Sequence, residues 1–141
     1  MSEGEDQIES DCARVFTPQS PSGVTALVLG GDVKLSLADL SLSERLAADG
    51  ALVFARALSN EGEPLSDREA TAMATEELCA LIATEGVEPG AVVLAGVGRG
   101  GTLAVLCACR MDGAALVLDL GGPQIYKELD EGRSVQPLEM L

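Results

Sequence analysis

Residues Val92 to Thr102 read V-V-L-A-G-V-G-R-G-G-T, a short apolar strand that runs into four closely spaced glycines and a helix start. Glycine so dense lets backbone approach where a Cβ would hold it off. Two chemistries compete for this spacing. Gly96, Gly98 and Gly101 spell G-x-G-x-x-G, a cradle whose loop N–H groups and helix N-terminus hold a dinucleotide pyrophosphate. The same stretch fits the G-x-S-x-G elbow that lifts a nucleophile for acyl transfer, with Gly98 standing at the nucleophile position. Glycine supplies no attacking atom. The chain also has no histidine, so no side-chain nucleophile in it can be activated by an imidazole. A third reading is purely architectural: the glycines let a helix cross a sheet closely.

Around this loop, Asp119 and Arg99 are the polar residues with chemical potential. Asp119 stands near the end of the run A-A-L-V-L-D-L, where a cradle would place the acid for a ribose hydroxyl and where a strand-end aspartate also caps a turn. Arg99 can fork two hydrogen bonds to a carboxylate ligand, pair with Asp119, or stand solvated on the rim. Cys12, Cys79, Cys107 and Cys109 contain no C-x-x-C pair. Cys107 and Cys109 point about 200° apart on a helix, so they cannot clamp one ion, and the thiols read as reduced and buried. No metal and no cofactor is expected.

Composition narrows the partners. The 141 residues carry 23 acidic and 9 basic side chains, a formal charge of -14, which disfavours nucleic acid and anionic lipid surfaces. Such acidity suits a high-salt cytoplasm and equally a genome that avoids lysine codons. Length fits one domain able to bury about 70% of its unfolded surface. With Phe16, Phe54 and Tyr126 as the only aromatics, the core must be aliphatic. No basic, apolar leader and no run of 18 apolar residues is present, so the expectation is a cytoplasmic protein without a membrane segment.

The elements that position the loop follow from patterning. Residues 1–12 form an acidic arm with little to bury. Val24 to Leu29 is a buried strand between P-S-G and Gly30-Gly31. Ser41 and Glu44 suggest a capping box for a short helix through Ala48, closed by Gly50 and followed by a strand over Ala51 to Ala57. Ser66 and Glu69 repeat the box before Ala70, Met73, Ala74, Leu78, Leu81 and Ile82 recur at helical spacing to Gly86. Ala91 to Ala95 is a strand, Thr102 to Met111 a helix, and Ala114 to Leu120 a last buried strand. Continuous apolar strands alternating with helices predict an α/β architecture: three layers, with a doubly wound, mostly parallel sheet covered on both faces. Ligands of such sheets bind beyond the carboxyl ends of the strands. That rim gathers Gly30-Gly31, Arg56-Ala57, Gly96 to Gly101 and Asp119 to Gly122.

From Val15 to Leu141 the chain resembles the dienelactone hydrolase family of α/β-hydrolases. The likeness rests on V-T-A-L-V-L-G-G, R-L-A-A-D-G-A-L-V-F-A-R-A-L, V-V-L-A-G-V-G-R-G-G-T-L-A and G-A-A-L-V-L-D-L-G-G-P-Q-I-Y. Gly96, Gly100 and Gly101 fall on the glycines of the family's G-x-C-x-G-G elbow, and Gly98 falls on its cysteine. The resemblance implies oxyanion donors in the N–H of Arg99 and in the loop of Gly30, Gly31 and Asp32. It also implies that the family's acid and histidine belong to later strands than those before Leu141. The expectation is therefore a partial α/β-hydrolase-like domain over residues 13–141, a pseudoenzyme with no catalytic residue of its own. It would bind a small carboxylate or ester and pair with a second copy or a complementing chain. The alternative is a nucleotide-binding module built on Gly96 to Gly101.

Overall fold

The computed structural model describes residues 12–60, 63–87, 91–110, 116–121, 126–128 and 133–135. A five-stranded sheet carries the fold. It is formed by β1 (Ala13–Phe16), β2 (Thr25–Gly30), β3 (Leu52–Ala57), β6 (Val92–Val97) and β7 (Leu116–Leu120), in the spatial order β1-β3-β2-β6-β7. The helices are α1 (Leu37–Ala48), α2 (Asp67–Glu85) and α3 (Arg99–Arg110). Two short antiparallel pairs complete the description: β4 (Ser59–Asn60) with β5 (Glu63–Pro64), and β8 (Tyr126–Glu128) with β9 (Arg133–Val135).

Strands β2, β3, β6 and β7 are mutually parallel, as continuous apolar runs require. Every residue of β2 is buried. Alternate side chains on it serve opposite faces: Leu27 and Leu29 join Leu94, Leu103, Leu106 and Leu78 beneath α2 and α3, whereas Ala26 and Val28 join Val53, Ala55 and Ala95 against Leu42 and Leu46 of α1. The fully buried side chains are therefore mostly leucines in one layer and alanine and valine in the other. A fully buried leucine contributes about 1.5–3 kcal/mol, so the α2/α3 layer dominates the hydrophobic stabilisation.

Three sequence expectations change in detail. The box that starts α1 is Ser36 with Asp39, not Ser41 with Glu44. Ser36 Oγ accepts from the Asp39 N–H at 3.0 Å and Asp39 Oδ2 accepts from the Ser36 N–H at 2.9 Å. Aspartate is shorter than the usual Glu or Gln at this position, which hid the motif. Helix α3 begins at Arg99 rather than Thr102, with Gly100 and Gly101 inside it. Strand β1 was not anticipated. Its four half-buried residues pair antiparallel with β3 and carry no turn signal of their own.

The box at Ser66 and Glu69 and the left-handed Gly86 that ends α2 (φ 67°) stand as the sequence predicts. The acidic arm lies outside the described residues apart from Cys12. Among the described residues β7 is bordered only by β6, with Leu116 and Leu120 exposed. No described helix is long and apolar enough to cross a membrane.

Candidate functional site

Chain order and spatial order part company at one point in the sheet. From β2 the chain moves outward to β3, then crosses back to β6 on the other side of β2. Loops leaving β2 and β6 thus turn to opposite faces and open a crevice at their carboxyl ends, the place where such sheets bind ligands. Registers Leu29↔Arg56, Leu29↔Gly96 and Gly96↔Asp119 level the rim across the sheet, bringing these anticipated positions into one row, while Gly122 lies outside the described residues.

The glycines of this rim do different work. A Cβ on Gly96 would overlap the Gly100 carbonyl group, one on Gly100 would overlap the Leu29 carbonyl oxygen, and one on Gly101 would overlap Asp119 Oδ1. On Gly31 it would stand 2.7 Å from Arg99 Cβ and 2.9 Å from Gly100 N. The β2 loop, the end of β6 and the first turn of α3 are therefore pressed together backbone against backbone. On Gly30 a Cβ would meet Asp39 Oδ2 at 3.0 Å.

Gly98 is the exception. It sits alone at the strand-to-helix turn with φ 59°, and a Cβ there would meet nothing within 4 Å. Its N–H donates to the Leu120 carbonyl at 3.0 Å, and its own carbonyl accepts from the Gly101 N–H at 3.0 Å. Two N–H groups that a pyrophosphate cradle would use are thus engaged within the protein. Those of Arg99 and Gly100, in the orphan first turn of α3, have no backbone carbonyl partner among the described residues.

Arg99 does not pair with Asp119, nor is it a solvated rim side chain. Its Nε and Nη2 donate to Asp67 Oδ1 at 2.9 and 2.7 Å, Nη2 also donates to the Leu65 carbonyl at 2.8 Å, and Nη1 donates to the Gly31 carbonyl at 2.6 Å. Asp67 is 13% and Arg99 30% exposed as side chains. Asp67 opens α2, and the fork ties three segments into one unit. Sequence reading missed Asp67 because it lies 32 residues from Arg99 and no local spacing links the two.

Beside the elbow lies an open cleft of about 430 Å³ lined by Gly31, Asp32, Ser36, Asp39, Val97 and Arg99. Asp32 is exposed, and its Oδ1 accepts from the Val33 N–H at 2.8 Å. Asp39 is buried in the α1 cap. Asp119 is exposed on β7 and its carboxylate lies against Gly101. No group of three or more His, Cys, Asp or Glu with metal-holding geometry occurs among the described residues.

No family model matches the chain, and no curated protein matches it in sequence. Solved structures do. A dienelactone hydrolase candidate from Klebsiella pneumoniae aligns over 91% of this chain and 60% of its own, at 18% identity and a TM-score of 0.63. TT1662 from Thermus thermophilus aligns over 95% and 63%, at 17% identity and a TM-score of 0.64. Esterase 2 of Thermogutta terrifontis, phosphonylated by sarin, aligns over 75% and 47%, at 18% identity and a TM-score of 0.57. The chain thus spans less than two thirds of the length of each. What these similarities have in common is architecture: the chain has the α/β fold of hydrolase-type esterases, over part of their extent.

Proposed function

We propose that this chain is a hydrolase-fold protein that keeps an oxyanion-type binding site and has lost the nucleophile, so that it binds a carbonyl compound without turning it over. One observation carries the reading. Gly98 holds the left-handed, solvent-facing position of a nucleophile elbow, while the glycines around it are locked by backbone contact as an elbow requires. The N–H of Arg99 and the loop of Gly30, Gly31 and Asp32 then flank a bound carbonyl oxygen from two sides. Such donors bind a carbonyl oxygen whether or not a nucleophile stands beside them.

The ligand is a neutral ester or lactone rather than a carboxylate. Arg99, the cation expected to receive a carboxylate, is already neutralised by Asp67, and the cleft adds the acidic side chains of Asp32 and Asp39. The nucleotide alternative is weakened because the N–H groups of Gly98 and Gly101 are occupied.

The test is direct. The unmodified protein is expected to show no saturable turnover of p-nitrophenyl acetate, and titration with NAD, NADP or FAD is expected to show no micromolar binding. Gly98→Cys is expected to accumulate an acyl adduct at residue 98. Saturable turnover by the unmodified protein would overturn the reading.

A further inference from the structure

The Arg99 fork has a consequence for the donors on the other side of the cleft. A trans peptide is planar, with its C=O and N–H pointing in opposite directions. The Gly31 carbonyl is gripped by Arg99 Nη1 at 2.6 Å, so the N–H of Asp32, in the same peptide plane, is turned away from the guanidinium. Among the described residues that bond is the one that holds the Gly31 carbonyl, and Gly31, without a Cβ, adds little torsional restriction of its own. Arg99 thus stands in two places at once, offering its own N–H at the elbow while its side chain orients the peptide opposite.

Resting on the oxyanion-site reading above, we propose that Asp67 and the Arg99 side chain are positioning residues that pre-orient the peptide between Gly31 and Asp32 as the second oxyanion donor. Asp67 makes this possible through geometry. Its Oδ1 receives both Nε and Nη2, fixing the plane of the guanidinium, and the Leu65 carbonyl holds Nη2 from a further direction. Only Nη1 remains to reach across to Gly31, and its position is set by the other three bonds. The pair is largely shielded from water, with Asp67 in the first turn of α2 where helix N–H groups favour a carboxylate. Neither side chain has to touch the ligand.

The experiment uses Gly98→Cys as the reporting background. At mildly alkaline pH the installed thiolate attacks p-nitrophenyl acetate, forming an S–acyl bond and releasing p-nitrophenolate through an oxyanion intermediate. Iodoacetamide alkylates the same sulfur by displacing iodide, with no oxyanion. The ratio of the two rates, read at each cysteine by peptide-resolved mass spectrometry, isolates oxyanion stabilisation from thiol access and ionisation. Exposed Cys79 supplies the ratio for a thiol without such a site.

The expected result is a ratio at residue 98 at least about tenfold above that of Cys79, falling about tenfold in Asp67→Asn, with alkylation nearly unchanged. Arg99→Lys keeps the charge and the backbone N–H but cannot bond Asp67 and Gly31 with one planar fork, so it is expected to lose the ratio equally. If residue 98 shows no advantage over Cys79, the oxyanion-site reading itself fails. If the advantage is present and survives both substitutions in folded protein, the positioning role is overturned. A parallel fall in acylation and alkylation would assign the pair to structure alone.

Discussion

The two ends of α3 are built on opposite principles. Its first turn meets the sheet mainly through backbone: Gly100 against the Leu29 carbonyl, Gly101 against the Gly96 carbonyl as well as the Asp119 side chain, with Gly96 of β6 facing Gly100. From Leu103 onward it meets the core through side chains, with Leu103, Leu106 and Cys107 fully buried among Leu27, Leu78 and Leu94. Backbone cannot choose another rotamer, so the first turn is intolerant of added atoms. Side chains repack, so the rest of the helix suffers mainly from atoms removed. Gly98, adjoining the first turn, obeys neither rule, because its Cβ position is open.

The largest expected effect is at Gly100. Gly100→Ala would drive a methyl into the Leu29 carbonyl at the centre of the sheet, and both partners are main chain. A loss above about 3 kcal/mol is expected, enough to leave little folded protein, measured by urea unfolding or by yield of soluble chain. A variant with near-native stability would show that the crossing relaxes and that the first turn is not backbone-locked.

Next is Leu106→Ala, at the side-chain end. Leu106 is 1% exposed, and truncation leaves a cavity in the layer beneath α2 and α3. The expected cost is about 3 kcal/mol with a folded, cooperative product, read from the urea midpoint. Gly98→Ala sharpens the contrast, since it adds the same methyl as Gly100→Ala only two residues away. The cost there is the left-handed backbone alone, about 1–2 kcal/mol, and circular dichroism should show the native fold. A collapse of this variant comparable to that of Gly100→Ala would remove the distinction between the crest and the base of the loop.

How far this contrast could be read in the sequence depends on the length scale of each cause. The glycine spacing after an apolar strand announces a close crossing, and Ser66 with Glu69 announces α2, because both signals are local. The parallel strands were legible for the same reason, β2 most fully as an unbroken buried run, whereas β7, expected to be buried, has no fully buried residue because only β6 borders it among the described residues. The α1 cap was misplaced because two Ser-x-x-acid patterns lie five residues apart and only the hydrogen bonds at Ser36 choose between them. Strand β1 has meaning only once β3 offers an edge. Arg99 was visible as a chemically able residue, but its partners Leu65, Asp67 and Gly31 are assembled by the sheet crossover, which no local spacing encodes. A lone arginine following an elbow, in a chain this poor in cations, was the available hint that an acidic partner would be found across the fold.

The smallest effect belongs to the thiols at the far end of α3, and it appears only in alkali. Burial pushes the Cys107 thiol above its ordinary value of 9.0, against the opposing hydrogen bond from Thr75, and burial also raises Cys109. The folded chain therefore keeps these protons at a pH where the unfolded chain releases them. With fewer protons bound in the unfolded state, unfolding becomes easier as pH rises: stability is level below about pH 8 and declines from near pH 9 upward, until the folded thiols ionise too. A single thiol can add at most about 1.4 kcal/mol per pH unit within that window. Urea titrations between pH 7 and 10.5 should show this decline, and Cys107→Ala should flatten part of it after allowance for its own packing loss. The first turn of α3 contains no cysteine, so Gly98→Ala should lower the whole curve without changing its slope. An alkaline slope that Cys107→Ala and Cys109→Ala together leave intact would place the responsible group outside the side-chain-packed end of the helix.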